Sequence, residues 1–203
     1  MIAIDLLEAY GGIVKEYNKS EIIFEEGQMP THYYQILSGE VKMNNYNDEG
    51  REFTQGIFYK NQCFGEPPLF INQVYPANAI AVETTQLICI TKARFFELLA
   101  ENPTNSLAII ENLAQRLYYK AVMAAEISTH EPEHRVLRLI EYAIAHFDFK
   151  KDENGYLIQF TRQQIGDLTG LRVETVIRTI KALEKKGELQ IINRKVYRKM
   201  PFL

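Results

Sequence analysis

The chain has 203 residues, 46% hydrophobic and 24% charged, with 23 Lys+Arg against 26 Asp+Glu and a net charge of −3. That ordinary globular mixture excludes disorder, collagen-like repeats and low-complexity fibres as the main state, and the length suits one medium domain or two small ones. No run of about 18 apolar residues occurs, so no transmembrane helix and no membrane partner are expected.

The start, Met1 to Asp5, lacks a basic n-region and is not read as a secretory signal. Cys63 and Cys89 lie 26 residues apart, without CxxC or zinc spacing, which fits two reduced, partly buried thiols in a cytoplasmic protein with no metal.

Residues to about 100 are predicted to be mostly β. Short apolar or alternating runs recur at 22–24, 33–37, 40–43, 54–59, 79–82 and 86–90. Turn signals separate them at Glu26-Gly27, Ser38-Gly39, 44–50 and 73–78, with residues 47–50 as a hairpin loop. Many short strands at this spacing suggest an antiparallel sandwich or jelly roll.

A short amphipathic helix is expected over Lys92–Ala100. Asn102-Pro103-Thr104 then starts a long helix to Ser128, with no Gly or Pro after Pro103. Ile110, Ala114, Leu117, Ala121, Ala124 and Ser128 form a stripe with 4-3-4-3-4 spacing. A 3.5-residue repeat suits a coiled-coil seam between two copies; packing on the chain's own domain is the alternative.

The long helix is expected to break at Thr129–Pro132, and Pro132 to open a helix through about Phe147, with Val136, Leu137, Leu139, Ile140 and Ala143 apolar. His130-Glu131-Pro132-Glu133-His134 fits the H-E-x-x-H string of zinc hydrolases. That chemistry needs both His on one face of a continuous helix. Pro132 leaves His130 outside the helix and no strong third ligand follows, so no enzyme activity is expected.

Lys150–Gly155 is read as a polar turn, Tyr156–Phe160 as a strand, and two short strands are expected at 189–192 and 195–198. Between them, Thr161 is a candidate cap for a short helix with Ile165 and Leu168 inward. Gly170 turns the chain into a second helix with Val176, Ile180 and Leu183 on its apolar face. The other face offers Arg172, Val173, Glu174, Arg178 and Lys181. Two short helices around a Gly-containing turn, the second rich in base-reading side chains, suggest a helix-turn-helix. Glu can accept from cytosine N4 and Arg can fork onto guanine, and residues four apart share a helix face. The alternative is a Glu174–Arg178 ion pair in a structural helix. Charge favours double-stranded DNA as the partner: residues 155–203 carry ten basic and four acidic side chains, a net of +6 on a −9 body.

The order β-roll, long helix, winged helix-turn-helix resembles the cyclic-AMP receptor and fumarate-nitrate regulator (Crp/Fnr) family of bacterial transcription factors. Residues 161–166, Gly170 and Glu174-Thr175-x-x-Arg178 match its DNA-binding signature. Gly27, Tyr34, Ile36, Gly39 and Phe64-Gly65-Glu66-x-x-Leu69-Phe70 match its β-roll. The resemblance implies an α+β protein with an antiparallel, cyclic-nucleotide-binding-like jelly roll over 1–101, a dimerisation helix over 102–129 and a winged helix-turn-helix over 130–203. It also implies a homodimer that works with RNA polymerase. Carried over, Glu174 and Arg178 read bases, and Arg162, Gln163, Thr175 and Arg172 hold phosphates. Arg172 stands where the family often has a capping Ser, and no replacement cap is evident. Val173 marks the fumarate-nitrate branch, since the cyclic-AMP receptor has Arg there, and a half-site nearer TTGAT than TGTGA is expected.

In cyclic-nucleotide-binding relatives, the Glu of this turn takes the ribose hydroxyl and a following Arg-Ser pair takes the phosphate. Here Glu66 is kept, but Tyr75-Pro76 stands in place of Arg-Ser, and Pro67 and Pro68 remove N–H donors. The receptor's adenine-contacting Thr-Ser aligns with Lys120-Ala121. A buried phosphate without its Arg costs several kcal/mol, so cyclic AMP is not expected to bind. Two readings stay open: Glu66, Tyr75 and Lys120 serve a different acidic or aromatic effector, or the pocket is filled and has none. An iron–sulfur cluster is not expected, because residues 1–62 hold no Cys; haem has only a lone His32 in the β-roll. No cofactor is expected.

Overall fold

The computed structural model describes residues 1–203 except Asn47, Arg51, Thr129, His130, Phe147, Asp148 and 200–203, and leaves out the side chains of Met123 and residues 125–128. His130 of the H-E-x-x-H string therefore lies outside the described residues. The chain falls into two compact units, Met1–Arg116 and Leu117–Leu203. Among the described residues, no helix is long and apolar enough to cross a membrane, and no group of three or more His, Cys, Asp or Glu could hold a metal ion.

The first unit begins with helix α1 (Ile4–Ala9) and strand β1 (Ile13–Tyr17), neither of which the sequence patterns signalled. Strands β2 (Ile22–Phe24), β3 (His32–Ser38), β4 (Glu40–Tyr46), β5 (Glu52–Tyr59), β7 (Asn78–Ala81) and β8 (Thr85–Thr91) fall on the six runs read from sequence. They overshoot those runs by up to three residues, except that β7 stops one residue short, at Ala81. Between β5 and β7 come a two-residue strand β6 (Cys63–Phe64) and helix α2 (Pro67–Ile71). The paired prolines that remove N–H donors also open this helix, at its first positions, where those donors have no intrahelical partner.

The eight strands form two four-stranded sheets, β1-β8-β3-β6 and β2-β7-β4-β5, with antiparallel pairing throughout. This is the expected double-sheet roll. Phe24, Val41, Met43 and Ala79 of one sheet meet Tyr34, Ile36, Leu87 and Cys89 of the other in an inter-sheet core. The opposite face of the first sheet is covered by a second core, where Tyr33, Ile88 and Ile90 meet Leu7, Phe95, Leu98 and Ile109. Phe95 belongs to helix α3 (Lys92–Glu101), and its ring stacks on Tyr33 at 4.3 Å.

Cys89 pairs opposite Tyr34 and Cys63 opposite Gln35. Adjacent residues of a strand point to opposite faces, so the two thiols lie on opposite sides of the sheet and cannot form a disulfide. Both are fully buried, more so than expected. Burial pushes the Cys89 thiol up to about 11 and raises Cys63 as well.

Helix α4 (Pro103–Ser128) has the predicted bounds. Within the first unit its inner side supplies Ile109, which is buried, and Leu113, which packs against the same core. Of the stripe, Ile110, Ala114, Leu117, Ala121 and Ala124 are exposed, Leu117 at 71%, and the Ser128 side chain lies outside those described. These five do not pack on their own domain. Leu107, 66% exposed, extends the stripe by one position toward the helix start.

The second unit adds helix α5 (Pro132–His146), which starts at Pro132 as expected. The segment read as a polar turn contains strand β9 (Lys151–Asp152), paired with β10 (Gly155–Ile158) in a tight hairpin. The expected strand ends at Ile158, and Phe160 instead makes an edge contact with Phe149 in the core. Helices α6 (Arg162–Thr169) and α7 (Val173–Lys185) follow, then the wing strands β11 (Gln190–Ile192) and β12 (Lys195–Arg198). The sheet order is β11-β12-β10-β9. Val136, Leu139 and Ile140 of α5 are buried, as are Ile165 of α6 and Val176, Ile180 and Leu183 of α7. Leu168 is only half-buried; Gly166 and Thr169 take the inward positions beside Ile165. Arg198 fixes the wing: its guanidinium is 7% exposed, donates to the Glu188 carbonyl at 2.6 Å and pairs with Glu188 and Glu141.

Candidate nucleic-acid interface

Helix α6 begins with a complete capping box. Thr161 Oγ1 accepts from the Gln164 amide at 3.1 Å, and Gln164 Oε1 accepts from the Thr161 amide at 2.7 Å. The helix ends at Gly170 with φ +68°, a conformation open to glycine at little cost. A Cβ on Gly166 would lie 2.7 Å from the Leu171 carbonyl, so the turn can close on α6 only because residue 166 has no side chain. These features set α7 against α6 and leave one side of α7 outside the core.

That side carries the residues predicted to meet DNA. Glu174, Arg178 and Lys181 are exposed, and Val173 and Thr175 are half-buried at its edges. Among the described residues, no ion pair joins Glu174 to Arg178, so the alternative of a structural pair is not realised. Arg172 is the N-cap residue of α7 and makes no side-chain capping bond, which leaves the first amides of the helix unpaired by it. Such a helix start attracts anions. On α6, Arg162 is half-buried and burial lowers its pKa, though a guanidinium stays charged in proteins. Gln163 is exposed and donates to Asp167 at 2.7 Å.

The sensor residues have a different setting. Glu66 precedes α2 and is fully buried. Its Oε1 pairs with the guanidinium of Arg116, which also donates to the Cys63 carbonyl at 3.3 Å and lies over the Phe58 ring at 5.5 Å. Arg116 was not singled out from the sequence; it stands on α4, fifty residues from Glu66. Glu66 Oε2 has no hydrogen-bond partner. Tyr75 is buried and stacks flat on Phe24, with centroids 3.6 Å apart and planes 7° apart. Its hydroxyl has no partner, and burial raises its pKa. Pro76 contributes only its carbonyl, which accepts from Asn45 at 2.6 Å. Lys120 is exposed on α4 and belongs to the second unit. Glu66 is thus already engaged, and rings fill the space around Tyr75. His32 is half-buried with Nδ1 2.9 Å from Thr31 Oγ1, and burial lowers its pKa.

Residues 14–102 match the cyclic nucleotide-binding domain family, and residues 134–199 match the Crp-like helix-turn-helix domain family. The chain is 25% identical over 173 residues to the cAMP-activated global transcriptional regulator CRP of Haemophilus influenzae, covering 85% of this chain and 77% of that one. It is 24% identical over 194 residues to the transcriptional activator protein FnrA of Stutzerimonas stutzeri, covering 94% and 79%. Its fold is similar to that of the c-di-GMP responsive global regulator CLP of Xanthomonas campestris, with a TM-score of 0.76, 22% identity and 98% of each chain covered.

Proposed function

The chain belongs to the Crp/Fnr family of transcription regulators, and we propose that it acts in the cytoplasm as a homodimer reading an inverted repeat in double-stranded DNA. The observation that carries this reading is the exposed, unpaired set Glu174, Arg178 and Lys181 on α7, inside a segment of net +6. Arg178 forks onto a guanine and Glu174 accepts from a cytosine N4. Arg162, Gln163, Arg172 and Thr175 hold phosphates, and Val173 favours thymine beside the core, giving a half-site nearer TTGAT than TGTGA. The dimerisation segment is residues 102–129, with Ile110, Ala114, Leu117, Ala121 and Ala124 of α4 in its seam, between a sensor over 1–101 and a DNA-binding domain over 130–203. RNA polymerase is the partner through which binding acts on transcription.

The sensor works without cyclic AMP, because Arg116 is already the counter-charge of Glu66 and Tyr75-Pro76 offers no cation for a phosphate. The second reading, a cyclic-nucleotide-dependent regulator, is favoured by the retained Glu66 and the domain match over 14–102. Calorimetry with cyclic AMP and cyclic GMP separates the two: tight binding of either overturns the first. Selection of bound sequences from a random DNA pool tests the DNA reading. The expected outcome is two inverted half-sites about one helical turn apart. Arg178→Ala is expected to cost roughly 1–3 kcal/mol and to relax choice at one guanine. Enrichment of no sequence refutes the reading.

A further inference from the structure

Inside the first unit, helices α2, α3 and α4 leave a groove of about 380 Å3 between them. Phe70 of α2, Phe96 and Leu99 of α3, and Ile109, Ile110 and Leu113 of α4 wall it. The one polar side chain among the described lining residues is Ser106, and its hydroxyl donates to the Leu99 carbonyl at 2.7 Å. Water held there finds little to hydrogen-bond, so the groove favours an apolar occupant.

One end of the groove is charged. Lys92 stands one turn before Phe96 on α3, and its ammonium lies 6.0 Å from the centre of the Phe96 ring. It also donates at 2.5 Å to Oδ1 of Asn72, the residue that ends α2. Asn72 is neutral, so the Lys92 charge is not cancelled, and this contact uses one of the three donors of the ammonium. Among the described residues, no carboxylate pairs with Lys92. Size separates a small molecule from a protein as the occupant. The volume lies within the roughly 300–1,000 Å3 of ligand pockets, whereas a stable protein interface takes roughly 20–30 residues a side against the eight that line this groove.

We propose that this groove binds a small monocarboxylic acid with an apolar body, which lies against Phe70, Phe96 and Ile110 while its carboxylate pairs with Lys92. Glu66, Tyr75 and Arg116 do not line the groove, so the site is separate from the sensor pocket, and it does not depend on the DNA-binding reading. Ile110 also belongs to the proposed seam, so an occupant touches the helix through which two copies are proposed to meet.

The test titrates octanoate, and octanol as its uncharged match, into the full-length protein and follows side-chain methyl signals by NMR. A ligand of ten non-hydrogen atoms is expected to saturate with an affinity of roughly 1 mM. The methyls of Leu99, Ile109, Ile110 and Leu113 are expected to shift, and those of Ile180 and Leu183 in the second unit are not. Lys92→Met is expected to weaken octanoate roughly two- to fivefold and to leave octanol unchanged. Ala100 lines the groove and is exposed, so Ala100→Phe is expected to melt like the wild type, to crowd the groove and to weaken both ligands at least about tenfold. Groove methyls of the wild type that show no saturable shift overturn the proposal, as does a Lys92→Met protein that binds octanoate unchanged or loses octanol equally. Loss of the dimer in Ala100→Phe without ligand also overturns it and assigns the groove to a second copy. The wild-type shifts and Lys92→Met decide the matter even where Ala100→Phe fails to fold.

Discussion

Arg116→Met removes the cation paired with a fully buried carboxylate, while keeping most of the apolar stem. Breaking a buried pair from one side costs about 3–5 kcal/mol, because the remaining charge is left uncompensated in a medium that solvates it poorly. Glu66 sits at the severe end of that situation: Oε2 already lacks a partner, and Oε1 loses its ion pair. For a chain of this length the loss corresponds to a fall in melting temperature of roughly 6–20 °C. Urea unfolding followed by circular dichroism measures it, and the double variant Glu66→Gln/Arg116→Met supplies the control. With no charge left to strand, the double variant is expected to recover most of the loss. A cost below about 1 kcal/mol for Arg116→Met, or no recovery in the double variant, refutes the view that Arg116 is the built-in counter-charge of the sensor. Cyclic AMP is expected to raise the melting temperature of neither protein.

Leu117→Glu sets like charges across the proposed seam at a position 71% exposed in the single chain, so sedimentation is expected to show monomers; a wild-type-like dimer places the seam elsewhere. Arg162→Ala is expected to weaken binding to all sequences alike and to shallow the salt dependence by about one unit, as loss of one phosphate contact does. A loss confined to one base position contradicts that role. Acid is expected to destabilise the β-roll through two groups. Burial lowers the His32 pKa, so the unfolded chain takes up its proton first as pH falls below about 6.5. Glu52 also lies below its usual value: burial opposes its charge, but hydrogen bonds from Lys42 and Asn44 and the charge of Lys42 outweigh it. Its contribution is present above the unfolded carboxylate pKa and is lost as pH falls further. Stability rising on acidification from pH 7 to 5 contradicts the His32 assignment, and the absence of any further loss below the ordinary carboxylate value of 4.5 contradicts that of Glu52.

The helix-turn-helix was legible because each of its parts is local in sequence. Thr161 caps the first helix, Gly170 marks the turn, and Val176, Ile180 and Leu183 repeat at helical spacing. Six of the eight strands of the β-roll were legible for the same reason. What escaped has no local pattern. Strand β1 is almost entirely exposed, so Ile13–Tyr17 shows no inward alternation. Strand β6 is two residues long, too short to carry any period. The partner of Glu66 lies fifty residues away, and one Arg on a long helix gives no hint of where it points.

The central claim is that two copies of α7 read two half-sites held in register by one two-fold axis. Its most direct measurement is the affinity for the selected inverted repeat before and after insertion of five base pairs between the half-sites. Half a turn of DNA puts the second half-site on the far side of the duplex. A rigidly related pair of recognition helices then loses one of its sites, and affinity is expected to fall at least about a hundredfold, toward non-specific binding. Equal affinity for both duplexes contradicts the account.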